Sequence, residues 1–128
     1  MGVSLAKKMF IPEGVLVPCV ALPVEVNLDD IHPWAASMDS ARQMVLEGKS
    51  PALFVFVENS HQLNKLVPEL LTLWSEKLTF WLFYPKRPHL NTDLGRDSLF
   101  LQMKQAGMSG TRQVGIDDLW SCLYFKAK

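Results

Sequence analysis

Polar and charged side chains that could hold an anion follow two apolar segments of this chain. One group comes after residues 52–57 (ALFVFV), and the other comes after residues 78–84 (LTFWLFY). If both segments are parallel strands, their carboxyl ends meet at one edge of the sheet, where open α/β sheets bind their ligands. A helix beginning at Ser60 would offer free N–H groups to a phosphate or carboxylate, and basic side chains would offer charge. The candidate ligand-binding residues are Ser60, His61, Lys86, Arg87, Thr92, Asp93 and Arg96.

The same residues also have a purely structural interpretation. Ser60 and Asp93 have the short polar side chains that cap helix N-termini, and each precedes a predicted helix. Lys86 and Arg87 can be solvated loop residues. The sequence leaves both interpretations open.

No pattern in the sequence predicts a catalytic residue, a cofactor site or a metal site. His32, His61 and His89 lie in different predicted loops and lack the i, i+4 or C-x-x-C companions of metal ligands. Methyltransferases and dinucleotide-binding proteins need a glycine-rich turn after their first strand. Residues 23–27 (PVEVN), which follow the first predicted strand, contain no glycine. We therefore expect neither S-adenosylmethionine nor a dinucleotide to bind.

Three other features have structural rather than chemical interpretations. The adjacent Asp117 and Asp118 are typical of a tight turn, where aspartate is favoured for its hydrogen bonds to the backbone. Cys19 and Cys122 lie inside apolar runs, so we predict two buried free thiols rather than a disulfide. Trp120 lies on an apolar-patterned segment and is predicted to pack in the core.

Composition and charge exclude several classes of protein. The 128 residues suit a single domain, residues 1–128, and a hydrophobic content of 48% suits a packed core rather than a disordered chain. Basic and acidic residues number 13 each, so no overall field attracts nucleic acid or an anionic membrane. No apolar run reaches the roughly 18 residues of a membrane-spanning helix, and no signal peptide is recognisable. We expect a cytoplasmic protein without membrane contact.

Alternating apolar patterns predict an α/β fold. Residues 52–57 and 78–84 are apolar throughout, as strands covered on both faces are, and helical spacing of apolar residues follows each of them. Residues 119–125 (LWSCLYF) are apolar on both sides, which favours a last strand inserted antiparallel between its two predecessors. Right-handed crossovers then place the other strands parallel in one sheet. We predict a three-layer α/β/α sandwich with a mostly parallel sheet and a terminal antiparallel hairpin, like the C-terminal half of a class I methyltransferase.

The N-terminal part of the chain is less regular. Residues 15–22 are predicted to form the first strand, and Pro18 within it indicates an edge position or a bulge, because proline cannot donate to the ladder. Residues 23–34 lose all periodicity and are predicted to form a loop. A short helix is predicted over residues 38–47.

Three segments of the C-terminal third resemble a bacterial family of small proteins, the domain of unknown function 3052. They are residues 81–86 (WLFYPK), 92–97 (TDLGRD) and 113–125 (QVGIDDLWSCLYF). Family members tend to read W-x-x-x-P-K, then T-D-L-x-x-D, and to end A-I-D-x-x-W-S-x-L-R-F. The resemblance implies a methyltransferase-like or Rossmann-like fold without an established activity. This chain has Tyr124 where the family usually has arginine, so a ligand held by that arginine in relatives would lose the contact here.

The leading hypothesis on function is a non-catalytic binding or accessory domain, which takes a small anionic ligand or a protein partner at the carboxyl edge of the sheet. The alternative is a small enzyme that uses the same basic residues and a histidine on a phosphate- or carboxylate-bearing substrate. A third hypothesis is a nucleic-acid accessory protein using Lys86, Arg87, Lys126 and Lys128. It has the least support, because the chain carries no net charge.

Overall fold

The computed structural model describes residues 3–127, which contain four α-helices and six strands. The helices are α1 (Leu5–Lys8), α2 (Met38–Leu46), α3 (Ser60–Ser75) and α4 (Arg96–Gln105). The strands are β1 (Leu16–Val20), β2 (His32–Ala36), β3 (Leu53–Phe56), β4 (Phe80–Pro85), β5 (Gly110–Gly115) and β6 (Trp120–Phe125). A single 3₁₀ turn, His89–Asn91, lies between β4 and α4.

The six strands form one mixed sheet in the order β2-β1-β3-β4-β6-β5. The first four strands run parallel to one another, with Leu82 of β4 beside Val55 of β3. β6 runs antiparallel to both of its neighbours, so that Leu123 lies between Leu82 on one side and Gln113 on the other. The prediction that the last strand is inserted between its two predecessors is confirmed.

The three longer helices within residues 3–127 all pack on one face of the sheet. Ala41 of α2, Leu70 of α3 and Met103 of α4 are buried in the same cluster as Val55 of β3 and Leu123 of β6. Side chains alternate along each strand, so the intervening strand residues point to the opposite face.

The opposite face of the sheet is covered by one short helix and a loop. Met9, at the end of α1, packs there with Leu28 and Ile31 of the connection between β1 and β2. Trp81 of β4 and Trp120 of β6 are the largest side chains that this layer buries, at 0% and 1% exposed. The prediction of a core position for Trp120 is confirmed.

The predicted three-layer sandwich with a mostly parallel sheet is therefore wrong. Half of the strands, β4, β6 and β5, form an antiparallel unit, which makes the sheet mixed. The connection from β1 to β2 crosses the sheet in one direction, and the connections from β2 to β3 and from β3 to β4 cross it in the other. Because parallel connections are right-handed, the first lies on one face of the sheet and the other two lie on the opposite face. The connection on the second face, residues 21–31, is a loop rather than a helix. The expected likeness to the C-terminal half of a class I methyltransferase, with a full layer of helices on each face, is not found within residues 3–127.

Two N-terminal predictions also need correction. β2 begins within the segment predicted to be a loop, residues 23–34, and its exposed residues explain the missing hydrophobic pattern. Because β2 forms the edge, Pro18 lies in the second strand of the sheet rather than at its edge. The ladder between β1 and β3 begins at Cys19, immediately after Pro18, so the missing N–H costs no bond on that side.

The remaining general predictions concern thiols and membranes. Cys19 and Cys122 are both buried and free, as predicted. Within residues 3–127, no helix combines the length and the apolar character needed to cross a membrane.

Candidate functional site

A cleft of about 610 Å³ opens at the carboxyl end of β4, beside the N-terminus of α4. Three of the predicted residues, Lys86, Arg87 and Arg96, line it, and we refer to it as the basic cleft. Its walls also include Tyr84, Gly95 and Gln113. The basic side chains that follow the second apolar strand therefore line one cleft.

Two hydrogen bonds hold Lys86 against the turn between β5 and β6. Its backbone N–H donates to the carbonyl of Leu119 at 2.8 Å, and its Nζ donates to the carbonyl of Asp117 at 2.7 Å. No carboxylate within residues 3–127 forms an ion pair with Lys86. The ammonium is therefore positioned by the hairpin, and no carboxylate within the described residues pairs with it.

Arg87 is positioned by the loop that leads into α4. Its Nε donates to the carbonyl of Leu94 at 3.0 Å, and its Nη2 donates to the carbonyl of Asp93 at 2.7 Å. Within the described part of the chain it, too, has no ion-pair partner. Backbone carbonyls fix the guanidinium without neutralising it, so the charge stays available at the cleft.

The N-terminus of α4 adds further positive potential to the basic cleft. Its N-cap residue is Gly95, which has no side chain to cap the turn. The Gly95 N–H donates to the Ser98 hydroxyl at 2.9 Å, and within residues 3–127 no side chain accepts the N–H groups of residues 96–98. A Cβ on Gly95 would lie 3.6 Å from Nη2 of Arg87, which places the guanidinium directly beside the uncapped turn. Free N–H groups and the helix dipole favour an anion at such a position.

Arg96 is the third basic residue of the cleft, and its side chain is exposed. It pairs with its neighbour Asp97 at 3.2 Å, and their side chains are 62% and 91% exposed. Exposed pairs of this kind are weak. A ligand anion can therefore compete with Asp97 for the Arg96 guanidinium.

The floor of the cleft is a neutral hydrogen-bonded group. Gln113 donates from Nε2 to the Tyr84 hydroxyl at 2.9 Å and lies 3.3 Å from the hydroxyl of Ser121, which donates to the carbonyl of Val114. Burial raises the pKa of Tyr84, so the phenol is protonated at neutral pH. The floor offers polar contacts without a negative charge.

The start of α3 does not contribute a free anion site. Its N-cap is Asn59 rather than Ser60, and the Ser60 N–H donates to the Asp93 carboxylate at 2.9 Å. The Ser60 hydroxyl donates to the other oxygen of the same carboxylate. The bond from the Ser60 hydroxyl is the largest cause of a lowered pKa at Asp93, and the bond from the Ser60 N–H is the second. The anion that Ser60 was predicted to hold is thus the protein's own Asp93.

Thr92 and His61 also lie outside the basic cleft. Thr92 is buried, and its hydroxyl accepts the N–H of Leu94, so it shapes the loop before α4. His61 is exposed on the first turn of α3, where it lines a separate shallow surface with Gln102 of α4. His89 packs edge-on against Trp120, with ring centroids 5.7 Å apart, on the opposite face of the sheet.

Asp117 has the turn role that the sequence predicts. Its Oδ1 accepts the N–H groups of Leu119 and Trp120 at 2.8 Å, and its Oδ2 accepts the N–H of Asn27 at 3.0 Å. Asp118 is exposed and makes none of these bonds. The two carboxylates therefore do not form a pair for acid–base chemistry.

Sequence reasoning missed eight of the eleven residues that line the basic cleft, among them Tyr84, Gly95, Gln113 and Ser121. One weak signal was present for Tyr84, the last residue of an apolar strand and one with a polar tip. Gly95 gave no such signal, because the sequence placed the cap of the following helix at Asp93, whereas the structure places it at Gly95. The meeting of Gln113 with Tyr84 follows from the pairing of β4, β6 and β5, which leaves no trace in local sequence.

Comparisons with known proteins do not indicate what the basic cleft binds. No protein-family model matches the sequence, and no curated protein is detectably similar to it. Within residues 3–127, no cluster of three or more histidine, cysteine or acidic side chains could hold a metal ion. The basic cleft is therefore interpreted from its own chemistry.

Proposed function

We propose that this chain is a binding domain that takes up a small phosphate- or carboxylate-bearing molecule in the basic cleft without transforming it. The observation behind the proposal is the placement of Lys86, Arg87 and Arg96 around the uncapped N-terminus of α4. The chain as a whole has no net charge, so this concentration of positive charge is local.

The strength of such a site follows from its contacts. A hydrogen bond to a charged group contributes about 1.5–3 kcal/mol, and a helix N-terminus adds about 0.3–1 kcal/mol. Two or three contacts of this kind, less the entropy lost on binding, correspond to a dissociation constant on the order of 1 mM for inorganic phosphate. A larger ligand that also reaches Tyr84 and Gln113 would bind more tightly.

Binding has more support than catalysis. The Tyr84 phenol, whose pKa is raised, is a poor base, and the two cysteine thiols are buried away from the cleft. His61 and His89, which the enzymatic alternative requires, lie elsewhere. The resemblance to the domain of unknown function 3052 adds no activity, and membership of that family remains part of the proposal.

Nucleic-acid binding is not favoured by the placement of the basic residues. Lys126 follows the carboxyl end of β6, which pairs with the start of β4, whereas Lys86 follows the end of β4. Lys86 and Lys126 therefore lie at opposite ends of the strands, so they do not form one continuous basic surface. Lys128 lies outside the described residues.

Titration with inorganic phosphate, monitored by NMR of the backbone amides, tests the proposal. We expect saturable shifts of the amide resonances of residues 95–98 and at least tenfold weaker binding in the double variant Lys86→Ala/Arg87→Ala. The control is Lys49→Ala/Lys126→Ala, which also removes two positive charges, but outside the cleft and at the opposite end of the strands. Equal weakening in both double variants would show a non-specific charge effect and would overturn the proposal. Release of phosphate from a simple phosphate ester, abolished by the cleft variant, would favour the enzymatic alternative.

A further inference from the structure

Strand β5 forms one edge of the sheet and pairs only with β6. The N–H of Ile116 donates to the carbonyl of Trp120 at 3.1 Å, which fixes the alternation of this antiparallel ladder. Of residues 112–115, over which the ladder is regular, Gln113 and Gly115 therefore turn their backbone N–H and C=O groups away from β6. We refer to this side of residues 112–115 as the open edge.

A groove of about 430 Å³ lies beside the open edge, on the face of the sheet that carries α1. It is lined by residues 112–115 together with Lys7 and Lys8 of α1, and we refer to it as the α1 groove. The Arg112 side chain lies on this face, because its guanidinium is placed over the Phe10 ring, 5.1 Å from the ring centroid. Three basic side chains thus flank one face of an unpaired strand.

The α1 groove carries positive charge without a matching negative charge. Lys7 and Lys8 are exposed, and neither they nor Arg112 form an ion pair within residues 3–127. No acidic residue lines the groove. Asp30 accepts the N–H of Ala6 in the first turn of α1 but lies outside the groove lining. A segment bound along the groove would therefore be complementary if it carried carboxylates on the side chains that point to α1.

The other face of the open edge presents a mixed surface. A groove of about 310 Å³ between β5 and α4 is lined by Gln113, by the half-buried Phe100 and by the exposed pair of Arg96 and Asp97. An added strand presents successive side chains to opposite faces of the sheet. Acidic residues on the α1 face should therefore alternate with uncharged, β-branched residues on the α4 face.

A second copy of the chain is less suitable as a partner for the open edge. Antiparallel pairing of two β5 strands about a two-fold axis perpendicular to the sheet would bring both α1 grooves to the same face. Lys7, Lys8 and Arg112 of one copy would then lie on the same face as those of the other, and like charges repel. Charged residues beside edge strands commonly prevent such self-association. Charge complementarity favours an acidic partner instead.

We propose that the open edge binds an extended acidic segment of a partner protein, which adds to β5 as an antiparallel strand and places its carboxylates in the α1 groove. Main-chain hydrogen bonds to Gln113 and Gly115 hold the segment, as in other cases of strand addition. Lys7, Lys8 and Arg112 select its charge. This inference goes beyond anion binding in the basic cleft and does not depend on it, because none of these three basic residues lines the cleft.

An acetylated and amidated octapeptide in which glutamate alternates with valine tests the proposal by amide hydrogen exchange. In the free protein, the amides of Gln113 and Gly115 should exchange rapidly, whereas that of Val114, bonded to β6, should exchange slowly. At a peptide concentration about ten times the dissociation constant, exchange at Gln113 and Gly115 should slow about tenfold. Exchange along the other edge strand, β2, should not change. The same peptide with lysine in place of glutamate should have no effect.

N-methylation of the peptide separates strand pairing from attraction of charge. A residue directly opposite Gln113 has its side chain on the same face as Gln113 and its backbone groups turned to β5. This face is the α4 face, so the valine amides should point to β5 and the glutamate amides away from it. N-methylation of the valines should therefore abolish the exchange effect, and N-methylation of the glutamates should leave it intact.

Two double variants test the α1 groove. Lys7→Ala/Lys8→Ala should weaken peptide binding about fivefold, the effect of losing two exposed ion pairs. Lys49→Ala/Lys65→Ala removes two exposed lysines that line neither groove and should leave binding unchanged. The proposal is overturned if exchange at Gln113 and Gly115 does not slow, if both double variants weaken binding equally, or if the valine-methylated peptide acts like its parent. Slow exchange at these amides in the free protein that depends on protein concentration would show a second copy at the edge and would also overturn it.

Discussion

Ser60 donates its backbone N–H to the carboxylate of Asp93 at 2.9 Å, which ties the start of α3 to the loop before α4 across 33 residues of sequence. The Ser60 hydroxyl donates to the same carboxylate. The backbone carbonyl of Asp93 in turn accepts the guanidinium of Arg87. Asp93 thus accepts the free N–H of Ser60 at the start of α3 and also positions the Arg87 guanidinium in the basic cleft.

The first prediction concerns the pH dependence that Asp93 confers. Its pKa is lowered in the folded protein, chiefly by the Ser60 hydroxyl, so its contribution to the free energy of unfolding is present above the unfolded pKa of about 3.9 and is lost as the pH falls through the lower, folded value. Asp93→Asn should be less stable than wild type at pH 7 and lose less stability on acidification. Urea denaturation at pH 7 and pH 3 measures this, with Asp97→Asn as the exposed control. Parallel acid profiles for wild type and Asp93→Asn would contradict it.

The second prediction uses Gly95 to place a carboxylate in the basic cleft. Gly95→Asp should cap α4 and raise the free energy of unfolding by a few tenths of a kcal/mol, about the difference between glycine and aspartate at N-caps. A Cβ at this position meets Arg87 at an ordinary contact distance of 3.6 Å, so no clash is expected. The new carboxylate should weaken phosphate binding at least tenfold. Gly95→Ala is the control, and phosphate binding that survives in Gly95→Asp would place the anion elsewhere.

The third prediction tests the central position of β6. Trp120 is 1% exposed, so Trp120→Ala should lower the free energy of unfolding by about 3–5 kcal/mol, as large-to-small changes in cores do. Trp34 lies on the edge strand β2 and is 43% exposed, so Trp34→Ala should cost far less. Urea denaturation of both variants measures the difference. Similar midpoints for the two would mean that β6 is not interior.

The fourth prediction compares the two adjacent aspartates of the β5–β6 turn. Asp117→Ala removes three accepted N–H bonds and should cost about 1–2 kcal/mol of the free energy of unfolding. Asp118→Ala, at an exposed neighbouring position, should stay within about 0.5 kcal/mol of wild type. Thermal or urea denaturation reports both. An equal loss in the two variants would show that the turn does not depend on Asp117 specifically.

The fifth prediction concerns the buried thiols. Burial raises the pKa of Cys19 to about 12 and raises that of Cys122 as well. A raised pKa gives stability that is fully present below the unfolded thiol value of about 8.5 and is lost as the pH rises towards the folded value. The free energy of unfolding should therefore fall above about pH 8.5, and less steeply in Cys19→Ala/Cys122→Ala. At pH 8 a thiol reagent should modify the native protein only as fast as it unfolds, and rapid modification would mean that the thiols are accessible.

The sequence alone determined the elements that are buried on both faces. Residues 52–57 and 78–84 were recognisable as interior strands because an unbroken apolar run can be satisfied only by cover on both sides. The same reasoning placed the last strand between its predecessors. Lys86 and Arg87 were recognisable as site candidates because they directly follow such a strand, at the edge where ligands bind.

Only the tertiary structure decided which face each helix covers and which groups meet. An amphipathic pattern shows that one side of a helix is buried but not on which face of a sheet, so the expectation of a full layer of helices on each face was wrong. β2 has no hydrophobic pattern and is a strand only because β1 offers it a ladder. The pairing of Ser60 with Asp93 and of Gln113 with Tyr84 joins residues about 30 positions apart, where loop paths and strand register, rather than local preference, set the distance.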